Sequence, residues 1–176
     1  MRMRKGQTAM EYLMTYGWAI LIIMVVLAVL FYLGVLNPTT ITPNQCAFPA
    51  GFTCVTNKLA SGNSKLYVVV GQGTGHSIMV LGINCTKNSS ADFATNGVIT
   101  YGTGNNVTIA SGSSAVLSNP AGPAWMNITC KEANGADPTD KTIGALYSGK
   151  IYIKYTELDT MLNRTVVGTY TTKYEA

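Results

Sequence analysis

Twenty consecutive residues, Gly17 to Leu36 (GWAILIIMVVLAVLFYLGVL), contain neither a charge nor a proline. Wound as an α-helix, such a run is about 30 Å long, one hydrocarbon thickness. A helix that is apolar all round has no solvent-facing side, so an ordinary soluble domain has little use for it. Arg2, Arg4 and Lys5 precede the run. Their excess on that side predicts a cytoplasmic N-terminus, with Asn37 onward outside. Tyr12, Tyr16 and Trp18 suit the inner interface of a bilayer, and Phe31 and Tyr32 approach the outer one. Pro38 marks the expected end of the helix, because the residue before a proline leaves the α region.

The remaining composition fits this reading. Only 11% of the 176 residues are charged and 47% are hydrophobic, which argues against a disordered chain. The formal net charge of +4 comes largely from the N-terminus: without Arg2, Arg4 and Lys5, nine basic residues face eight acidic ones. No basic face for nucleic acid remains.

A secretory signal peptide also has basic residues followed by an apolar stretch. Here the stretch exceeds a usual signal core, and no small-residue cleavage pattern follows Leu36. The small residue is Gly6, ahead of the apolar run, so a cut there would keep the helix in the mature chain.

The segment Lys5–Leu13, KGQTAMEYL, carries both that glycine and a carboxylate at the helix edge. Together with the apolar run it resembles the class III signal peptide of archaeal type IV pilins. Ala9 departs from the serine of many relatives. The resemblance covers the first 36 residues and is specific there. Beyond them the chain resembles the β-rich heads of such proteins only in general character. It implies that a prepilin peptidase, recognising Lys5, Gly6 and Gln7, cuts between Gly6 and Gln7. Residues 1–6 are then a leader and 7–37 a transmembrane and assembly helix. It further implies self-assembly into an extracellular filament, driven by an assembly ATPase and a membrane platform protein, with membrane lipid as the partner beforehand. Glu11 becomes the fifth mature residue. Cutting frees an α-amine on Gln7, and a charge-assisted contact between that amine and a neighbour's Glu11 would be strong in a dry helical core. A negative charge near a helix N-terminus is favoured in any case, and an interfacial Glu11 reaching headgroup water is the alternative.

After Pro38 the chain changes character. Residues 38–64 hold Pro38, Pro43 and Pro49 and read as a linker with a disulfide-tied loop; 65–176 read as an extracellular β-rich head. KLYVVVGQ and SIMVLGINCT are expected strands, the latter with Met79, Leu81, Ile83 and Cys85 on one face. NVTIAS, SAVLS and WMNITCKE follow. In GKIYIKYTE, Ile151, Ile153 and Tyr155 share a face opposite Lys150, Tyr152 and Lys154. RTVVGTYTTKY closes the chain, joined to the preceding strand by a hairpin turn over Glu157–Asn163. The expected class is α+β: one long N-terminal helix, then an antiparallel sandwich-like head.

Cys46, Cys54, Cys85 and Cys130 all follow the apolar run, and an even count outside the cytoplasm reads as two disulfides. Of three pairings, Cys46–Cys54 and Cys85–Cys130 are preferred: the first closes a small loop and the second ties two strands. A thiolate metal site is disfavoured by the lack of any Cys-x₂-Cys pair. Asn84, Asn88, Asn106, Asn127 and Asn163 head Asn-x-Ser/Thr triplets. Where Asn and Thr share a strand face opposite Cys85, Val107 or Ile128, the expected face is solvent and open to glycans.

Signs of catalysis are sparse. His76 is the sole histidine and sits in a glycine-rich turn. Gly71, Gly73 and Gly75 do not form a phosphate-binding pattern with a following helix. Asp137 and Asp140 make a weak calcium signal. The expected protein is therefore a structural subunit, not an enzyme, with no cofactor. The main alternatives are a membrane-tethered extracellular binding module, such as a minor pilin-like or adhesive protein, and an archaellum subunit.

Overall fold

A computed structural model describes residues 4–34, 43–89, 99–102 and 104–176. The chain forms two compact units, residues 1–42 and 43–176. The described residues of the first form one helix, α1 (Arg4–Tyr32), and the turn that ends it. Within it Met10–Tyr32, 23 residues, is long and apolar enough to cross a membrane. The helix ends earlier than its sequence predicts. Gly34 adopts φ 69°, while Leu33 N–H donates to Val29 O at 2.9 Å and Gly34 N–H to Phe31 O at 3.1 Å. A left-handed glycine just past the last turn thus stops α1, a conformation that costs glycine nothing. Asn37 and Pro38, the expected stop, lie outside the described residues.

The second unit is strand-rich. Its strands are β1 (Gln45–Ala47), β2 (Phe52–Ala60), β3 (Lys65–Gln72), β4 (Ile78–Thr86), β5 (Ile99–Thr100), β6 (Val107–Ile109), β7 (Ser114–Ser118), β8 (Ile128–Thr129), β9 (Leu146–Glu157) and β10 (Asn163–Glu175). A short 3₁₀ turn at Ala124–Met126 precedes β8. They join in one curled sheet in the order β5-β4-β9-β10-β2-β3-β7; β1 also pairs with β10, β6 with β4 and β8 with β3. Pairing is antiparallel except where β10 meets β2, at Tyr174–Leu59 and Glu175–Ala60. The curl brings the two ends of the sheet within reach: the Tyr101 hydroxyl, just after β5, donates to Leu117 O of β7.

The core fills the inside of this curl. Leu59 and Leu66, Val68 and Val70, Ile83 and Cys85, Ile151 and Ile153, Tyr170 and Tyr174 are all buried. Complete burial of each aliphatic side chain is worth about 1.5–3 kcal/mol relative to exposure. Close approach matters at Gly168, where an added Cβ would lie 2.5 Å from the Phe48 ring; only a bare backbone lets Phe48 cover β10.

Two β-bulges change the expected faces. On β4 the register against β9 slips between Val80 and Gly82. Leu81 is the extra residue, so Ile78 and Val80 face the core before it, and Ile83 and Cys85 after it. Met79 and Leu81, expected on that face, are only half-buried. On β2 the register against β3 slips between Cys54 and Thr56, making Val55 the extra residue. Phe52 faces inward before the bulge and Leu59 after it. This strand takes nine residues of the expected linker and loop over residues 38–64, while Cys46 and Cys54 still close the expected loop; residues 38–42 of that span lie outside the described residues. The expected WMNITCKE strand is also shorter, since Trp125 and Met126 sit in the 3₁₀ turn. The hairpin between β9 and β10 is formed, in continuous register from Asn163–Thr156 to Lys173–Leu146.

Candidate assembly helix and head surface sites

The side chains of α1 are described from Met10 onward. Every one from Met10 to Val29 is exposed, as are Phe31 (68%) and Tyr32 (91%). A continuous apolar surface of this kind requires a non-aqueous neighbour. Tyr12 and Tyr16, four residues apart, stack with ring centroids 4.2 Å apart. Trp18 is exposed too. These three residues put amphipathic rings on the N-terminal part of the helix, the position that an interfacial belt takes.

Glu11 is exposed on the same helix. The Thr15 hydroxyl donates to the Glu11 backbone carbonyl at 2.8 Å and not to its carboxylate. No donor engages that carboxylate among the described residues. Met10, Glu11, Met14 and Thr15 line one shallow depression, so the exposed carboxylate stands beside two methionines. The Gly6–Gln7 bond lies inside α1, one turn before Glu11. The side chains of Lys5 and Gln7 lie outside the described residues, as do Met1–Met3.

In the head, Cys46 bonds to Cys54 and Cys85 to Cys130, and no described cysteine is free. Cys85 and Cys130 are wholly buried. Tyr147 closes over that bridge: its hydroxyl lies 3.9 Å from Cys85 Sγ and donates to Lys131 O at 2.8 Å. The Lys87 ammonium stands 5.2 Å above the same ring. Burial raises the pKa of Tyr147 far above the ordinary tyrosine value, so the hydroxyl stays a donor.

The asparagine triplets divide by position. Asn106 and Asn163 are exposed, and Asn88 and Asn127 are half-buried. Asn84 is a correction: it is 1% exposed, because β4 is covered on both faces at this end. Thr86 beside it is wholly buried, and Tyr152, opposite Asn84 in register, reaches over to donate to Asn88 O at 2.9 Å. A glycan has no access to Asn84 in the folded head.

His76, in the turn between β3 and β4, meets Asp159 of the β9–β10 turn, with Nδ1 2.7 Å from Oδ2. This hydrogen bond raises the histidine pKa. Leu158 N–H donates to Ser77 O at 2.9 Å, a second tie between the two turns. Next to them Glu157 is nearly buried and pairs with Arg164 Nε at 2.7 Å. This ion pair could be foreseen only from the β9 alternation, which carries the inward face through to Glu157. At the other end of the head, Asp137 accepts from Lys131 at 2.6 Å and lies 3.7 Å from Lys141. The Lys131 contact is the main reason its pKa is lowered. Asp140 takes the Thr142 hydroxyl and N–H on one oxygen, at 2.7 and 3.1 Å. Both aspartates of the weak calcium signal are thus engaged in holding their own turn.

Among known proteins, no family model matches this chain and no curated protein matches it in sequence. What stands is an N-terminal helix suited to a membrane anchor or a signal sequence, followed by a disulfide-bonded, strand-rich unit of the kind found in oxidising compartments.

Proposed function

We propose that this protein is the structural subunit of an extracellular type IV pilus-like filament. It is inserted in the membrane as a precursor, cut after Gly6 by a prepilin peptidase, and polymerised through its N-terminal helix. An assembly ATPase and a membrane platform protein act on it in trans. The single observation that carries this reading is the position of Glu11. It is a carboxylate with no partner in its own chain among the described residues, one turn beyond a Gly–Gln bond, at the start of a helix with an exposed apolar surface. A bilayer covers such a helix but gains nothing from the charge, whose insertion costs of order 1–3 kcal/mol near the bilayer surface and more toward its centre. A bundle of identical cut helices supplies both an apolar surround and, from each Gln7, a cation. The head is then the outward layer of the filament, sandwich-like in its two facing halves and stable outside the cell through its disulfides.

The substitution Glu11→Gln tests this. Cutting, membrane insertion and head folding do not need the charge and should be unchanged. Filament yield, measured on sheared surface material against cut subunit left in membranes, should fall at least tenfold. Co-expressed wild-type chain should restore part of it, since mixed filaments leave fewer amines unpaired. Normal yield from Glu11→Gln would mean that the residue only reaches interfacial water.

A further inference from the structure

One end of the head collects exposed apolar side chains. Among its described residues six large ones are exposed, and Leu158, Met161 and Leu162 of the β9–β10 turn are three of them, at 37%, 74% and 52%. They cannot fold inward without breaking the turn. Glu157 N–H donates to Leu162 O at 3.0 Å and Met161 N–H to Glu157 O at 2.8 Å, and the Thr160 hydroxyl donates to Glu157 Oε2 at 2.8 Å. Met161 holds φ 56°, a left-handed conformation uncommon for a residue with a side chain. The turn also lies far from where the chain enters the head. Lys173 N–H donates to Asn44 Oδ1 at 3.2 Å, and β10 separates that point from the turn by about 30 Å, at roughly 3.3 Å per residue.

Directly after this turn stands Asn163-Arg164-Thr165, and all three residues are exposed. Among the described residues no other such triplet matches that. Asn84 is buried, and Asn127 is half-buried before a buried Ile128. Asn88 is half-buried, with its carbonyl taken by the Tyr152 hydroxyl. Asn106 is exposed, but its Nδ2 donates to Met79 Sδ at 3.3 Å. At Asn163 the Thr156 hydroxyl donates to Oδ1 at 2.6 Å. That fixes the amide and leaves Nδ2, the atom that takes a sugar, with no acceptor among the described residues.

We propose that Asn163 is the N-glycan acceptor of the head and that its glycan covers the apolar turn beside it. Transfer from a lipid-linked oligosaccharyl phosphate breaks the anomeric C1–O bond, forms a C1–Nδ2 bond, and sends one amide proton away with the lipid phosphate. The backbone takes no part, so the β9–β10 pairing at Asn163–Thr156 is undisturbed. The first sugar then hangs one and two residues from Leu162 and Met161. Its C–H face rests on those side chains while its hydroxyls stay in water. A bulky, solvated cover suits three apolar side chains that the fold itself leaves bare. The modification needs the head to face outside the cell but does not require filament assembly, so the two ideas fail separately.

The test uses the full chain, purified in detergent from the cells that make it. Protease mapping by mass spectrometry should find a saccharide on the Asn163 peptide and none on the Asn84 peptide. Asn163→Gln and Thr165→Val should both remove it, and Thr165→Ser, which keeps the triplet, should retain it. Oxidation by dilute peroxide then reads the cover. Met161 in the parent should oxidise roughly threefold more slowly than in Asn163→Gln, with half-buried Met126 unchanged as the reference. Thr165→Val repeats the comparison with Asn163 intact, and melting temperatures check that each variant is folded. Any of three results would overturn the proposal: an unmodified Asn163 peptide, a saccharide on Asn84, or equal Met161 oxidation with and without the glycan.

Discussion

The helix and the head solve the same problem in opposite ways. In the head, apolar side chains from both halves of a curled sheet bury one another, and Leu59, Leu66, Ile151 and Ile153 are wholly inaccessible. In α1, Ile20, Leu21, Ile22 and Ile23 are each more than half exposed. One unit supplies its own apolar environment and the other must borrow it. Stability measured on the isolated protein is therefore a property of the head, while what covers the helix must come from outside its own apolar surface.

The largest break in that comparison should come from the buried bridge. Removing it with Cys85→Ala/Cys130→Ala frees a loop spanning a separation of 45 residues. Chain-entropy reasoning puts the loss at about 4 kcal/mol, against about 3 kcal/mol for Cys46→Ala/Cys54→Ala. Thermal unfolding followed by near-UV dichroism should show the first pair melting lowest. Equal melting temperatures for both pairs and the parent would contradict the view that the bridges stabilise the head.

A cleaner contrast sets one apolar residue of each unit side by side. Ile153→Ala opens a cavity at the centre of the core and should cost about 2–5 kcal/mol. Val26→Ala, on α1, should leave head unfolding unchanged, because the side chain is exposed and belongs to the other compact unit. A shift of head melting by Val26→Ala would show that the two units are energetically coupled.

The smallest expected effect lies at the His76–Asp159 contact. The hydrogen bond that His76 donates to the Asp159 carboxylate raises the His76 pKa. The folded state therefore binds a proton more tightly than the unfolded one. The resulting stabilisation is complete below the ordinary histidine value, about 6.5, and is lost as pH rises through the raised folded value. His76→Gln should flatten the pH dependence of melting in that window without changing it at pH 8. An unchanged profile would mean that the contact is not maintained in solution.

How much of this could be read from the sequence follows from where periodicity survives. KLYVVVGQ is β3 end to end, and β9 carries Ile151, Ile153 and Tyr155 on the core face as its period predicts, so both are legible. β2 is not, because its bulge at Val55 shifts the inward positions from even to odd numbers, and FTCVTNKLA then shows no period at all. The same device at Leu81 misplaces one face of β4. The burial of Asn84 is hidden for a related reason: alternation predicts which way a side chain points, but not whether another segment covers that side. The paired turns at His76 and Asp159 are 83 residues apart, a distance no local pattern spans. For the helix, composition alone is decisive, since 23 consecutive residues are apolar enough to cross a membrane without any periodicity.

The central claim is that α1 stays in the working protein and is cut only at its N-terminal edge. Intact-mass and N-terminal peptide mass spectrometry on sheared surface material tests it most directly. The account predicts a chain beginning at Gln7, with the whole of α1 present and both disulfides formed. A chain beginning after Leu36 would make α1 a discarded signal sequence, and one retaining Met1 would remove the processing step; either would contradict the filament reading at its root.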